Sequence, residues 1–279
     1  MKNFLLTISL VSFFGFTSIA QSYQGDSWSK VRASGSGTLA CVYYPTPGLV
    51  YEENGQVKGV CVDIINDFKK FVKDKYGKTI NVKFVGKETV WTNFLTKTLN
   101  GSNVLGVANV TITPERKKKM KFSPPFMTNP LIFLTHSSAP SISSPDQIAE
   151  KLAGYTPLVI KGSTHVPVMK QLQSSYFPGQ QIKYTNSGIE TLQQIQANKK
   201  TFSILDFTEY FDAVRNKMPL KRQNIDIEGP QEELGFIMPM NSDWQPLWEE
   251  FLSPAYKQSV TYKKIVANNL GNAFLGMLK

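Results

Sequence analysis

Three places in this chain join a short apolar stretch to a residue that can hold charge. In the run 107–126, VANVTITPERKKKMKFSPPF, an apolar strand stops at Thr111 and an arginine, Arg116, follows within the next turn. Thr113 can cap a short helical turn with Pro114 at its first position, where proline is favoured, and that turn fixes where Arg116 points. A hydroxyl and a guanidinium delivered to one place can hold an anion, and arginine grips a carboxylate with two parallel N–H bonds that lysine cannot copy. The second place is Gly162-Ser163-Thr164 after the apolar residues 158–160, a helix N-terminus whose free N–H groups favour negative charge. The third is Asp206, closing the apolar run 202–205, an acid able to accept an ammonium group. Each has a plainer reading when taken singly. Arg116 opens the solvated run Arg116-Lys117-Lys118-Lys119, Ser and Thr are common N-caps, and an acid after a strand is often a cap or turn residue. Taken together they suit a zwitterion, which can be buried only when both of its ends find charged or strongly hydrogen-bonding partners.

The elements that must position these groups follow from periodicity. Strands alternate with helices, as in parallel α/β sheets. A strand at 38–44 leads through Pro45, Pro47 and Gly48 to Tyr51 and a turn at Asn54-Gly55. A helix then opens near Gly59, with Cys61, Ile64, Ile65, Phe68 and Val72 on one face, and stops at Gly77. A strand at 79–85, a helix bearing Trp91, Phe94, Leu95 and Leu99, and a strand at 104–110 complete the first unit. The second begins after the apolar run 131–135. It contains a short helix from Ser144-Pro145-Asp146, a strand at 157–160, the helix opened by Gly162-Ser163-Thr164, a helix with the capping pair Ser187 and Glu190, and the strand that ends at Asp206. A helix bearing Phe207, Tyr210, Phe211 and Val214 follows it. The run 234–238 reads as one returning strand, followed by a helix bearing Trp244, Leu247, Trp248, Phe251 and Leu252. Ligands collect outside the carboxyl ends of strands in open α/β sheets, so three such polar ends imply a pocket.

The string Thr-Ile-Thr-Pro-Glu-Arg at 111–116, with Phe-Ser-Pro-Pro-Phe at 122–126, resembles the signature of the extracellular solute-binding proteins of amino-acid ABC importers (family 3). The ligand-binding cores of ionotropic glutamate receptors share that signature. Ser143 to Ile148 ahead of Leu158-Val159-Ile160-Lys161-Gly162-Ser163-Thr164 is similar to the family's second-lobe entry. The likeness runs from about Leu39 to Phe251. It implies a two-lobed, hinged α/β fold of the type II periplasmic binding protein class, with residues 37–132 and 232–279 forming one lobe and 133–231 the other. It also implies that Thr111, Arg116, Ser163 and Thr164 hold a ligand's α-carboxylate and that Asp206 accepts its α-ammonium. Asn109, Tyr44, Tyr51 and Trp91 are further candidates for the ligand pocket. The chain departs from the family pattern at the start of the strand holding Val104, where an acid is usual, and at Leu49, where an aromatic usually stacks on the ligand. The apolar lid then falls to Tyr44, Tyr51 or Trp91, each of which also reads as a core aromatic.

Residues 1–20 carry Lys2, an apolar run at 4–16 and the small-x-small triplet Ser18-Ile19-Ala20, a secretory signal cleaved near Ala20. The expected product is exported, periplasmic or secreted, with residues 21–36 as a flexible Ser/Gly/Gln-rich leader. The formal charge of +10 becomes +9 once Lys2 is removed, because residues 1–20 hold no acid. The lysines are scattered without interleaved aromatics, which speaks against nucleic acid. Cys41 and Cys61 read equally as a disulfide or as two buried thiols. Two histidines and no Cys/His cluster at ligand spacing give no expectation of a metal or other cofactor. The expected partners are a free amino acid and a transmembrane permease, with the protein itself a monomer. A sensing module and a dehydratase-like enzyme are alternatives on the same scaffold. The enzyme reading finds no nucleophile elbow and no second strand-end acid, and Glu209, one turn after Asp206, is the hidden acid to watch.

Overall fold

The computed structural model describes residues 23–227 and 232–275. The expected signal segment lies outside them. Two five-stranded mixed sheets form two lobes. In the first sheet Ser36–Tyr43 pairs in parallel with Thr79–Lys87 on one side and Val104–Val107 on the other, and Ile237–Met238 runs antiparallel between Val104–Val107 and Lys121–Phe122. In the second, Thr156–Ile160 lies in parallel between Lys183–Thr185 and Thr201–Asp206. Leu131–His136 runs antiparallel to Thr201–Asp206 and carries Leu220–Arg222 at the edge. The chain crosses between the lobes twice, at Met127–Asn129 and at Glu232–Leu234, and these two strands pair with each other.

The first helical face read from the sequence is the buried one, whereas the face read for the helix Phe207–Arg215 is not. Val214 is exposed, Phe207, Tyr210 and Phe211 are half-buried, and Thr208, Glu209 and Ala213 are the residues turned inward, because this helix packs its polar side under the seam. Val60–Tyr76 buries Cys61, Ile64, Ile65, Phe68 and Val72 and ends at Gly77, whose φ of 66° suits a residue without a side chain. Gln245–Phe251 returns Trp248 onto Phe68, the rings stacked with centroids 3.8 Å apart. Cys41 and Cys61 are both buried free thiols, and burial pushes both well up from their ordinary range, which resolves the alternatives the sequence left open.

Three expectations are corrected. The leader is not flexible throughout, because residues 28–34 form a helix, Trp28–Ser34, capped by Ser27 and stopped by Gly35. Its Trp28 is buried against Tyr76 and Trp244, and Asp243 accepts the N–H groups of Trp28 and Ser29, so local polarity gave way to tertiary anchoring. The strand expected at 104–110 is regular only over Val104–Val107; beyond it the chain pairs again with the returning segment, Val110 accepting the Gly235 N–H at 3.0 Å and Thr111 bridging Leu234. The run 234–238 is two strands, not one, because Gly235 and Phe236 form the step between the crossover ladder and the first sheet.

One apolar cluster, distinct from the cores of the two lobes, spans the cleft. It joins Tyr44, Trp91 and Phe94 of the first lobe to Ile160, Leu192 and Leu205 of the second. The lobes are therefore packed on each other in a closed arrangement. Hydrogen bonds to backbone carbonyls join them further: Trp91 N donates to the Asn186 carbonyl at 3.1 Å, and the Trp91 indole Nε1 donates to that of Gly162 at 3.3 Å.

Candidate functional site

At the seam a small cavity of about 20 Å³ is lined by Tyr44, Trp91, Asn109 and Thr111 from one side, and by Ile160, Ser163, Thr164, His165, Asp206 and Glu209 from the other. That is space for about one or two waters, far less than an amino acid needs. A larger cleft of about 900 Å³ adjoins it and shares Thr111 and Thr164, whose hydroxyls meet across the lobes at 3.3 Å. The threonine pair is thus the partition between the outer cleft and the inner cavity.

Arg116 is placed as its local sequence dictates. Thr113 Oγ1 accepts Arg116 N, Pro114 is the first residue of the turn Pro114–Lys117, and the guanidinium Nη1 donates to the Thr111 carbonyl at 2.9 Å. The guanidinium carbon lies 5.7 Å from the Trp91 ring centroid, within cation–π range. Arg116 is half-buried, whereas Glu115 and the three lysines after it are exposed. Burial lowers its affinity for the proton, and the charges of Glu232 and Asp206 oppose that. It stands behind Trp91 and Thr111 and is not among the residues lining the inner cavity.

The other expected residues divide. Tyr44 and Trp91 both line the cavity, with ring centroids 5.2 Å apart and planes at 79°. Tyr51 does not. It lies half-buried on the small hairpin Tyr51–Glu53 with Gln56–Lys58 and is not among the residues lining the cavity. Leu49 is fully buried in the first core. Ser163 lines the cavity, but its hydroxyl donates to the Ile160 carbonyl at 2.8 Å. Asn109 accepts from Thr46 Oγ1 and donates its amide to Asp206 Oδ2, so it joins the lobes through the acid.

Two residues missed by the sequence reading complete the site. His165, the first residue of the helix His165–Tyr176, places Nε2 at 3.3 Å from Asp206 Oδ1 and 3.7 Å from Glu232 Oε2. Glu232 opens the second crossover strand and is turned inward. A signal for it existed: strand alternation puts Glu232 on the same face as buried Leu234. No local pattern marked His165, since its partners are distant in sequence. Glu209 is buried beside Asp206, whose N–H it accepts at 3.3 Å.

The electrostatics follow from packing three acids and a histidine out of water. Burial pushes Glu209 up to about 8, and the Asp206 charge adds to this. Burial also raises Asp206, against the pull of His165. Burial alone would depress His165, but Asp206 and Glu232 hold it well above 6.5. Glu232, despite burial, is held down to about 2 by His165 and by the Thr164 and Thr111 hydroxyls.

Residues 39–271 match the signature of the bacterial extracellular solute-binding proteins, family 3. No curated protein matches the chain. Among solved structures, it is similar to the arginine-, lysine-, histidine-binding protein ArtJ from Geobacillus stearothermophilus. The identity is 21%, over 84% of this chain and 96% of that one, with a TM-score of 0.64. It is also similar to the amino acid ABC transporter substrate-binding protein AbpA from Streptococcus pneumoniae bound to L-arginine, at 16% identity, 87% and 97% coverage and a TM-score of 0.66. The GluR0 ligand-binding core in complex with L-glutamate matches at 17% identity, 84% and 98% coverage and a TM-score of 0.66. These likenesses establish the two-lobed fold.

Proposed function

Because this chain belongs to the bacterial extracellular solute-binding proteins of family 3, we propose that it captures a free amino acid between its lobes and delivers it to the permease of an ABC-type importer. The observation that carries this reading is the meeting of anion donors and an acid from opposite lobes. Thr111 and Thr164 face each other at 3.3 Å, with Arg116 anchored on the Thr111 carbonyl behind them and Asp206 across the cavity. In this reading Thr111, Thr164 and Arg116 hold the α-carboxylate, with the N–H groups near Ser163 assisting. Asp206 accepts the α-ammonium, and Tyr44 and Trp91 form the apolar lid. The names of the similar structures, which bind arginine, lysine, histidine or glutamate, support an amino acid as the cargo.

A cavity of about 20 Å³ excludes an amino acid, so capture requires the Thr111–Thr164 contact to part and re-form around the ligand. Hinge closure of this kind is the standard example for periplasmic binding proteins. The two crossover strands, Met127–Asn129 and Glu232–Leu234, are where the lobes join, and the lobe limits 37–132 with 232–279 and 133–231 belong to this proposal. So do export after cleavage near Ala20, a monomeric state and a binding role without catalysis. Among the described residues no helix is long and apolar enough to cross a membrane.

Micromolar affinity corresponds to about −8 kcal/mol, within reach of several charge-assisted bonds plus lid burial. The test is thermal denaturation over the twenty amino acids, in EDTA, beside their amides and decarboxylated amines. One or a few amino acids should raise the melting temperature while the derivatives leave it unchanged. An equal shift with the amines would overturn the carboxylate seat.

A further inference from the structure

His165, Asp206 and Glu232 reach one point from three separate elements: the start of the helix His165–Tyr176, the end of the strand Thr201–Asp206 and the start of the crossover strand Glu232–Leu234. One ligand-type atom from each, a ring nitrogen and two carboxylate oxygens, lies within 4.8 Å of the other two. We propose that, while no amino acid occupies the cleft, this trio binds a divalent transition metal of the zinc type, the metal standing at Asp206 where the ammonium group of the proposed function would otherwise stand.

The spacing is the first argument. Zinc bound at about 2.1 Å by atoms at tetrahedral angles sets those atoms about 3.4 Å apart. The separations from His165 Nε2, 3.3 Å to Asp206 Oδ1 and 3.7 Å to Glu232 Oε2, bracket that value. The second argument is polar satisfaction. Asp206 Oδ1 and Glu232 Oε2 are buried, and apart from the long ion-pair contacts to the shared His165 Nε2 neither has a hydrogen-bond partner; His165 Nδ1 is likewise buried without one. The rest of each carboxylate is held by neighbours: the Asn109 amide binds Asp206 Oδ2, and the Thr164 and Thr111 hydroxyls attend Glu232. Outer groups that orient a carboxylate while leaving one oxygen free are what a metal site needs.

Charge is the third argument. Two carboxylates brought this close out of water require a cation between them. Arg116 stands close enough to feel both acids, but the cation between them is either a proton on His165 or a metal in its place. A metal takes the Nε2 lone pair and leaves the ring proton on Nδ1. The donor set of one imidazole and two carboxylates, without a thiolate, suits zinc and its neighbours, while calcium demands six to eight oxygens. The adjoining cavity of about 20 Å³ offers a fourth position for one water. The absence of a metal signature in the sequence is explained by the separation of the ligands, at positions 165, 206 and 232.

The experiment uses tag-free mature protein stripped with EDTA and freed of amino acids by partial unfolding and refolding. Zinc chloride is titrated calorimetrically, with magnesium chloride as control. The expected result is one equivalent of zinc bound, a melting temperature raised reversibly by zinc but not by magnesium, and affinity weakened on the order of tenfold or more in both E232Q and H165Q. No saturable zinc binding by the wild type, or wild-type affinity in both variants, would overturn the site. If the variants do not fold, cobalt(II) added to the wild type decides. Intense visible bands of a tetrahedral ion support the site, and a weak octahedral spectrum overturns it. The metal titrations contain no amino acid and the amino-acid screen is run in EDTA, so failure of one is distinguishable from failure of the other.

Discussion

The Tyr44 hydroxyl accepts the Gly188 N–H at 3.0 Å, joining the residue after the first lobe's leading strand to the opening of the helix Gly188–Ala197 in the second. Burial pushes the Tyr44 phenol far above its ordinary range, so it stays protonated. The bond exists only while the lobes are closed. In Y44F the buried Gly188 N–H loses its acceptor, which costs about 1–3 kcal/mol of the closed form. Small-angle scattering of ligand-free Y44F should give a larger radius of gyration than the wild type, and an unchanged radius would show that this bond does not help hold the lobes together.

Arg116→Lys should weaken calorimetric affinity for the amino acid found in the screen by about tenfold or more, because lysine cannot make the two parallel bonds. It should leave thermal stability nearly unchanged without ligand, since the single bond from Nη1 to the Thr111 carbonyl is within reach of an ammonium. Wild-type affinity in this variant would remove arginine from the carboxylate seat.

Gly188 packs so tightly under Glu209 that a Cβ there would collide with its carboxylate. Gly188→Ala should therefore destabilise the fold by about 1–3 kcal/mol through overpacking. In a double-mutant cycle with Glu209→Ala the two costs should be markedly less than additive, because the second change removes the obstructing group. Strict additivity in chemical denaturation would refute the contact.

The N-terminal helix depends on one acid. Burial works against the charge of Asp243, yet the bonds it accepts from Ser29 and Trp28 lower it from 3.8. A depressed carboxylate contributes stability that is present above its unfolded pKa and lost as pH falls through the folded one. The melting temperature should fall below about pH 4 with a component missing in Asp243→Asn. Hydrogen exchange over Trp28–Ser34 should speed up in the same window. Equal acid profiles in the two proteins would exclude Asp243 as the anchor.

The sequence by itself determined those elements whose faces and caps rest on contacts within a few residues, and the aim of single side chains such as Arg116. The periodicity of Cys61, Ile64, Ile65, Phe68 and Val72 named the buried face of Val60–Tyr76, and Thr113 with Pro114 set the turn that directs Arg116. Tertiary structure decided what the pocket holds. It placed Tyr51 on a hairpin apart from the cavity lining, turned the Ser163 hydroxyl to the Ile160 carbonyl and buried two thiols as thiols. It also brought His165 and Glu232 to Asp206. Positions 165, 206 and 232 share no local period, so their meeting depends on how the second sheet, its helix and the crossover strand Glu232–Leu234 pack together, which no short window of sequence encodes.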